Sequence, residues 1–117
     1  MNNYKLSIVV AVYNLEKYLP RCLDALVNQT LQEIEILCVD DGSIDSAPQI
    51  IDEYAKKYPN KVKAFHKPNG GEFTTRNYGL ERATGEYVTF VDTDDYVEKT
   101  WAEKYLETKF VISQVYL

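Results

Sequence analysis

The run KLSIVVAVY, residues 5–13, decides how the rest of the chain is read. It is nearly continuous in apolar and β-branched residues and has the length of one strand, the pattern of a strand buried on both faces of a parallel sheet. Beyond it, Leu15, Tyr18, Leu19, Cys22, Leu23, Leu26 and Val27 fall at the spacing of one helical face, and Asn14 is placed to cap that helix. EIEILCVD, residues 33–40, predicts a second strand. It runs into DGSIDSAP, where Ser46 with Gln49 has the form of a capping box and Pro48 suits a first helical turn. That second helix extends to about Tyr58, where Pro59-Asn60 breaks it. VKAFHK, residues 62–67, predicts a third strand, PNGG at 68–71 a turn, and the residues to about Ala83 a third helix closed by Gly85. Residues 86–92 make the fourth strand. Alternation of strand and helix with short connections predicts an α/β fold: a three-layer α/β/α arrangement around a mainly parallel sheet with right-handed crossovers. A last helix is expected near 96–107, with Asp95 as a candidate cap, and TKFVISQVYL at 108–117 reads as a strand-like tail outside the 1–107 domain.

With 117 residues, 45% of them hydrophobic, the chain can bury one core of ordinary domain size but not two. A formal net charge of −5 and the lack of a basic cluster argue against nucleic acid or an anionic membrane as the main partner. The N-terminus has no signal pattern and no segment approaches a membrane span, so a cytoplasmic location is expected. Cys22 and Cys38 lie in apolar patterns with no CxxC spacing, beside a single histidine, His66, which is given no role. Buried reduced thiols are therefore expected, not zinc or a disulfide.

In a sheet of this kind ligands gather at the carboxyl ends of the strands. Those ends carry Tyr13-Asn14, Asp40-Asp41 and Asp92-Thr93-Asp94-Asp95. Three carboxylates within four positions call for a positive charge among them, because like charges about 4 Å apart repel by roughly 4 kcal/mol in a partly screened environment. The first βα turn, VYNLEK, has no glycine, which excludes both a P-loop and a dinucleotide fingerprint. An acidic site can still hold a diphosphate through a divalent cation with oxygen ligands, Mg²⁺ or Mn²⁺. Asp92 and Asp94, two apart, are placed to flank one ion and one sugar.

Three segments in this order and spacing, SIVVAVYN at 7–14, NQTLQEIEILCVDDGSIDS at 28–46 and KPNGGEFTTRNYGLERATGEYVTFVDTDD at 67–95, closely resemble the nucleotide-binding half of family 2 glycosyltransferases of GT-A fold. The resemblance covers about residues 6–106. It implies that Asp92-Thr93-Asp94 is a DxD element, with Asp92 on the ribose or sugar and Asp94 on the metal, Mn²⁺ or Mg²⁺. It further implies that Asp41 accepts a hydrogen bond from uracil, that Ala11, Val12 and Tyr13 line the nucleoside pocket with Tyr13 against the base, and that Arg76 supports the donor site. The expected activity is an inverting, hexosyltransferase-type reaction in surface polysaccharide biosynthesis, from a UDP-sugar to a saccharide or lipid-linked acceptor. The complete enzyme could lie peripherally on the inner face of the membrane.

On the residues alone, Asp40 and Asp41 before Gly42 also suit a plain turn, Arg76 a solvated helix position, and Tyr13 ordinary packing. Gly70, Gly71 and Gly79 suit a turn and close helix packing. Family members continue for a comparable length that supplies the acceptor surface and a general base, so no catalytic residue is assigned here. The alternatives are an inactive donor-binding module or self-associating remnant, and a haloacid-dehalogenase-like phosphatase with Asp92 as nucleophile. Tyr96 stands where that loop wants Thr or Val. An unprotected strand at 110–117 would pair with a second copy, which makes a homodimer the expected association.

Overall fold

The structure is a computed structural model that describes the backbone of residues 3–116 and the side chains of residues 3–108. Four strands, β1 (Leu6–Val12), β2 (Ile34–Asp41), β3 (Val62–Lys67) and β4 (Tyr87–Asp92), form one sheet in the order β3-β2-β1-β4. All three pairings are parallel, with Ile8 opposite Ile36, Cys38 opposite Ala64 and Ala11 opposite Asp92. Helices α1 (Leu19–Val27), α2 (Ala47–Lys57), α3 (Glu72–Arg82) and α4 (Trp101–Tyr116) complete the alternation.

The continuous apolar runs make β1 and β2 the centre of this sheet, because only there do both faces find cover. On one face Leu6, Ile8, Val10 and Val12 pack with Leu19, Leu23 and Leu26 of α1, Ile51 of α2 and Ala102 of α4. On the other, Val9, Leu37 and Val39 pack with Tyr78 near α3's carboxyl end. Gly79 lets α3 come close: a Cβ there would lie 2.4 Å from Val9 Cγ1. The layers and parallel sheet are those the sequence predicts. Cys22 and Cys38 are buried and free, and burial pushes the Cys22 thiol up to about 12, which keeps it protonated and unreactive.

Several local expectations give way. Asn14 does not cap α1, which begins only at Leu19 behind Tyr18; Asn14 and Leu15 instead take left-handed backbone with φ of 58° and 63°. Ser46 makes no side-chain cap; Asp45 Oδ1 accepts the Ala47 N–H at 2.9 Å and does that work. Asp95 lies six residues before α4 and its N–H closes a turn on the Asp92 carbonyl at 3.0 Å. The strand expected at 108–117 is replaced through Tyr116 by α4; Leu117 lies outside the described residues. No Gly or Pro interrupts the sequence from Trp101 to Tyr116, and a helix satisfies its own backbone where a strand needs a neighbour. With that strand goes the stated basis for edge-to-edge pairing between copies. Among the described residues no helix is long and apolar enough to cross a membrane.

Candidate functional site

The strand order reverses between β1 and β4, and an α/β sheet opens a crevice outside its strand ends at such a point. A cleft of about 430 Å³ lies there, lined by the ends of β1 (Ala11, Val12, Tyr13, Leu15), β2 (Asp41) and β4 (Asp92, Thr93, Asp94) and by the entry to α3 (Asn69, Gly71, Glu72, Thr75). Ala11, Val12, Tyr13, Asp41, Asp92 and Asp94 thus line one cavity; strand-end position predicts this for Tyr13, Asp41, Asp92 and Asp94, the family resemblance for Ala11 and Val12. Arg76, one turn into α3, is not part of the lining but reaches it through Asp92.

Two loops hold the β1 end in place. Asn14 N–H donates to Ser43 Oγ at 2.8 Å and Ile44 N–H to Asn14 Oδ1 at 3.0 Å. Glu16 N–H donates to Asp45 Oδ2 at 3.1 Å and Ser46 N–H to Glu16 Oε2 at 2.9 Å. A left-handed Leu15 costs roughly 1–2 kcal/mol, and these four bonds are what offsets it. The consequence is that Tyr13 and Leu15, both about half exposed, stand on the cleft rim instead of turning into the core. Behind this loop pair sits His66, whose Nδ1 meets Asp40 Oδ2 at 2.9 Å and whose Nε2 meets Asp52 Oδ1 at 2.8 Å. The Asp40 contact, joined by that to Asp52, holds the imidazole proton above the usual histidine range. Asp40 in turn accepts the Ser43 N–H at 2.8 Å. The histidine therefore has a structural part that its sequence context did not disclose.

Asp41 is buried, and its surroundings explain how a carboxylate tolerates that. Lys67 Nζ donates to Oδ1 at 2.6 Å, Gly70 N–H to Oδ1 at 2.8 Å, and Gly71 N–H to Oδ2 at 3.1 Å. Gly71 is the residue before α3, with φ of 96° that a side chain disfavours, and it has no side chain to cap the helix. Asp41 instead accepts the two amides that lead into the helix, which places its charge near the positive end of α3. Burial works against ionisation, but the Lys67 ammonium and the two amides more than offset it, and the carboxyl is held below its usual range. Lys67 was not singled out from the sequence. The signal was present, since Lys67 is Asp41's register partner, two opposite charges ending adjacent strands.

At the β4 end Thr93 Oγ1 donates to the Ala11 carbonyl at 2.9 Å and pins the loop to β1. Asp92 and Asp94 both line the cleft. Positive charge among them comes in part from the protein. Arg76 Nη2 donates to Asp92 Oδ1 at 3.0 Å, pairs with Glu72 Oε1 at 2.8 Å, and lies 5.5 Å from the centre of the Phe90 ring. Arg21 Nη2 donates to the Asp94 carbonyl at 3.2 Å. Among the described residues no cluster of three or more His, Cys, Asp or Glu could by itself enclose a metal. Among the described residues no ion pair holds the Asp94 carboxylate, an oxygen ligand of the kind Mg²⁺ and Mn²⁺ take, with the remaining positions open to phosphate oxygens and water. The donor set fits a cation that arrives with a diphosphate better than a closed protein site.

Comparison with known proteins agrees with this geometry. The profile of the family described as "Glycosyl transferase family 2" matches residues 7–109. The poly(ribitol-phosphate) beta-glucosyltransferase of Bacillus spizizenii is 49% identical over 96 residues, 80% of this chain and 15% of that protein. The minor teichoic acid biosynthesis protein GgaB of Bacillus subtilis is 41% identical over 106 residues, 89% of this chain and 12% of that protein. Among solved structures, S. aureus TarS 1-349 in complex with UDP-GlcNAc superposes with a TM-score of 0.75 at 38% identity, over 94% of this chain and 31% of that one. The chain therefore spans 12% to 31% of the length of these proteins. With a match that runs from β1 into α4, the chain belongs to glycosyl transferase family 2.

Proposed function

We propose that this chain forms the donor-binding part of a glycosyltransferase of surface polysaccharide assembly, and that its cleft takes a UDP-sugar together with Mn²⁺ or Mg²⁺. The observation that carries this reading is the convergence of Tyr13, Asp41, Asp92 and Asp94 on one cavity at the point where the strand order reverses. The relative named for minor teichoic acid biosynthesis, the poly(ribitol-phosphate) beta-glucosyltransferase and the UDP-GlcNAc complex of TarS support the substrate class.

In this reading the exposed Tyr13 ring flanks the base, Ala11 and Val12 close the nucleoside pocket, and the Asp41 carboxylate accepts the imide N–H of uracil. Asp92 accepts a hydroxyl of the ribose or sugar, and Arg76, held to it at 3.0 Å, keeps its orientation and adds positive charge on the phosphate side. Asp94 holds the cation. When bound, that cation neutralises the diphosphate and eases its departure as the leaving group. Displacement at the anomeric carbon also needs a base on the acceptor hydroxyl, and none of the cleft residues is assigned that part, so binding is what is proposed of this chain.

Calorimetric titration with UDP, in Mn²⁺ and then in chelator, tests the reading. UDP should bind in the metal and lose most of its affinity in chelator, and Asp94→Asn should weaken UDP about tenfold or more, since the amide keeps the shape but not the charge. Equal affinity in both buffers would overturn the metal's place in the site.

A further inference from the structure

A carboxylate offers about four acceptor positions, and at Asp41 four donors lie within 3.3 Å, with the Thr75 hydroxyl a further one beside them. Lys67 Nζ and Gly70 N–H share Oδ1; Gly71 N–H and, at 3.3 Å, Asn69 Nδ2 share Oδ2. A base can reach this group only if one donor yields. The Asn69 contact is the longest of the four, comes from an exposed residue on the cleft wall, and can lapse while the same amide keeps its 3.0 Å bond to the Asp41 carbonyl. Of the donors that remain, only Lys67 carries a full charge. It is also firmly held, with its side chain 12% exposed and its ammonium donating to the Pro68 carbonyl at 2.9 Å and to Thr74 Oγ1 at 3.4 Å. Lys67 is not part of the cleft lining, so any effect it has on a ligand passes through Asp41 and the turn beside it.

We propose that Lys67 is a positioning residue for base recognition, holding the Asp41 carboxylate at the cleft so that it takes an imide N–H from a uracil-type base in place of the Asn69 amide. This rests on the donor-cleft reading above. The geometry also gives a specificity: a uracil ring presents a donor at N3, cytosine an acceptor, and a carboxylate with its charge retained repels the second. Without the ammonium, burial acts on Asp41 with less opposition, its carboxyl titrates higher, and base recognition is lost as pH falls.

The test is calorimetric titration of wild type, Lys67→Met and Lys67→Arg, all in Mg²⁺, with UDP-glucose, CDP-glucose and pyrophosphate between pH 5.5 and 8. UDP-glucose has no phosphate that titrates in this window. Wild type should bind UDP-glucose with nearly constant affinity and prefer it to CDP-glucose. Lys67→Met should weaken UDP-glucose roughly tenfold at pH 7 and more at pH 5.5, narrow the preference over CDP-glucose, and leave pyrophosphate within about twofold. Lys67→Arg should recover most of the loss. Should Lys67→Met not fold, Lys67→Gln, which retains a donor, carries the same expectation. An unchanged affinity and pH profile in the variant, or an equal loss for UDP-glucose and pyrophosphate, overturns the inference alone. A wild-type protein that binds neither ligand overturns the donor reading and the inference with it.

Discussion

The two ends of β2 each bury a carboxylate, Glu35 at its start and Asp41 at its end, and the comparison separates what holds the fold from what opens a site. Each is met by a lysine of β3, Lys63 and Lys67 respectively. Each also receives backbone amides from the flanks of α3: Glu35 Oε1 accepts the Thr84 N–H at 2.8 Å just past the helix, and Asp41 accepts Gly70 and Gly71 just before it. One strand thus straps one helix at both ends by the same device. The surroundings differ. Glu35 also accepts Ser7 Oγ at 2.7 Å and Thr84 Oγ1 at 3.0 Å, and Ser7 Oγ accepts the Gly85 N–H at 2.8 Å, so β1, β2, β3 and the entry to β4 are tied together away from the cleft. Asp41, with the same kind of partners, stands on a cavity wall. A buried charge answered on all sides serves the fold; one whose weakest partner faces a cavity can serve a ligand.

The largest expected effect breaks the first half of that comparison. Glu35→Gln should lower unfolding stability by about 2–4 kcal/mol, because charge-assisted bonds become neutral and Lys63 loses its partner. Denaturant titration against wild type measures it. The pH dependence has a sign: burial pushes the Glu35 carboxyl up, but the Lys63 ammonium and the Thr84 and Ser7 donors hold it below its usual range overall. Its contribution is therefore present above the ordinary glutamate range and is lost as pH falls below it, and the variant's stability should be flatter on the acid side.

A smaller effect sharpens the second half, at the histidine behind the cleft loops. The folded value for His66 lies above the free one, so its contribution is complete below about pH 6.5 and is lost as pH rises through the folded value. Wild type should lose stability between pH 6 and 8 relative to His66→Gln. The difference should be at most about 1 kcal/mol, since the imidazole is 41% and Asp52 60% exposed and water screens the pair. A variant that follows the wild-type profile would assign the slope elsewhere.

Much of this was legible in the sequence where a single physical constraint dominates. The continuous apolar run at 5–13 marked β1 as buried on both faces, and the alternation of strand and helix with short connections put Tyr13, Asp41, Asp92 and Asp94 at the carboxyl ends of the strands, on one edge. What escaped depends on partners far along the chain. Nothing local says that Asp41 accepts the amides leading into α3, that Asn69, Glu72 and Thr75 line the cleft, or that His66 joins Asp40 to Asp52. Leu15 was assigned to α1 by its apolar spacing, yet the bonds between the first two βα loops hold it left-handed, a tertiary influence that periodicity does not register. The α4 carboxyl end was misread because FVISQVYL has strand-forming residues, while the helix already running from Trp101 meets no breaker.

The comparison between the two carboxylates is tested most directly by titrating UDP, in Mn²⁺, into wild type, Glu35→Gln and Asp41→Asn at a temperature where all three are folded. Glu35→Gln should bind within about twofold of wild type despite its lower stability, and Asp41→Asn should bind about tenfold or more weakly. Equal losses in the two variants, or none in Asp41→Asn, would contradict the assignment of fold to one end of β2 and ligand to the other.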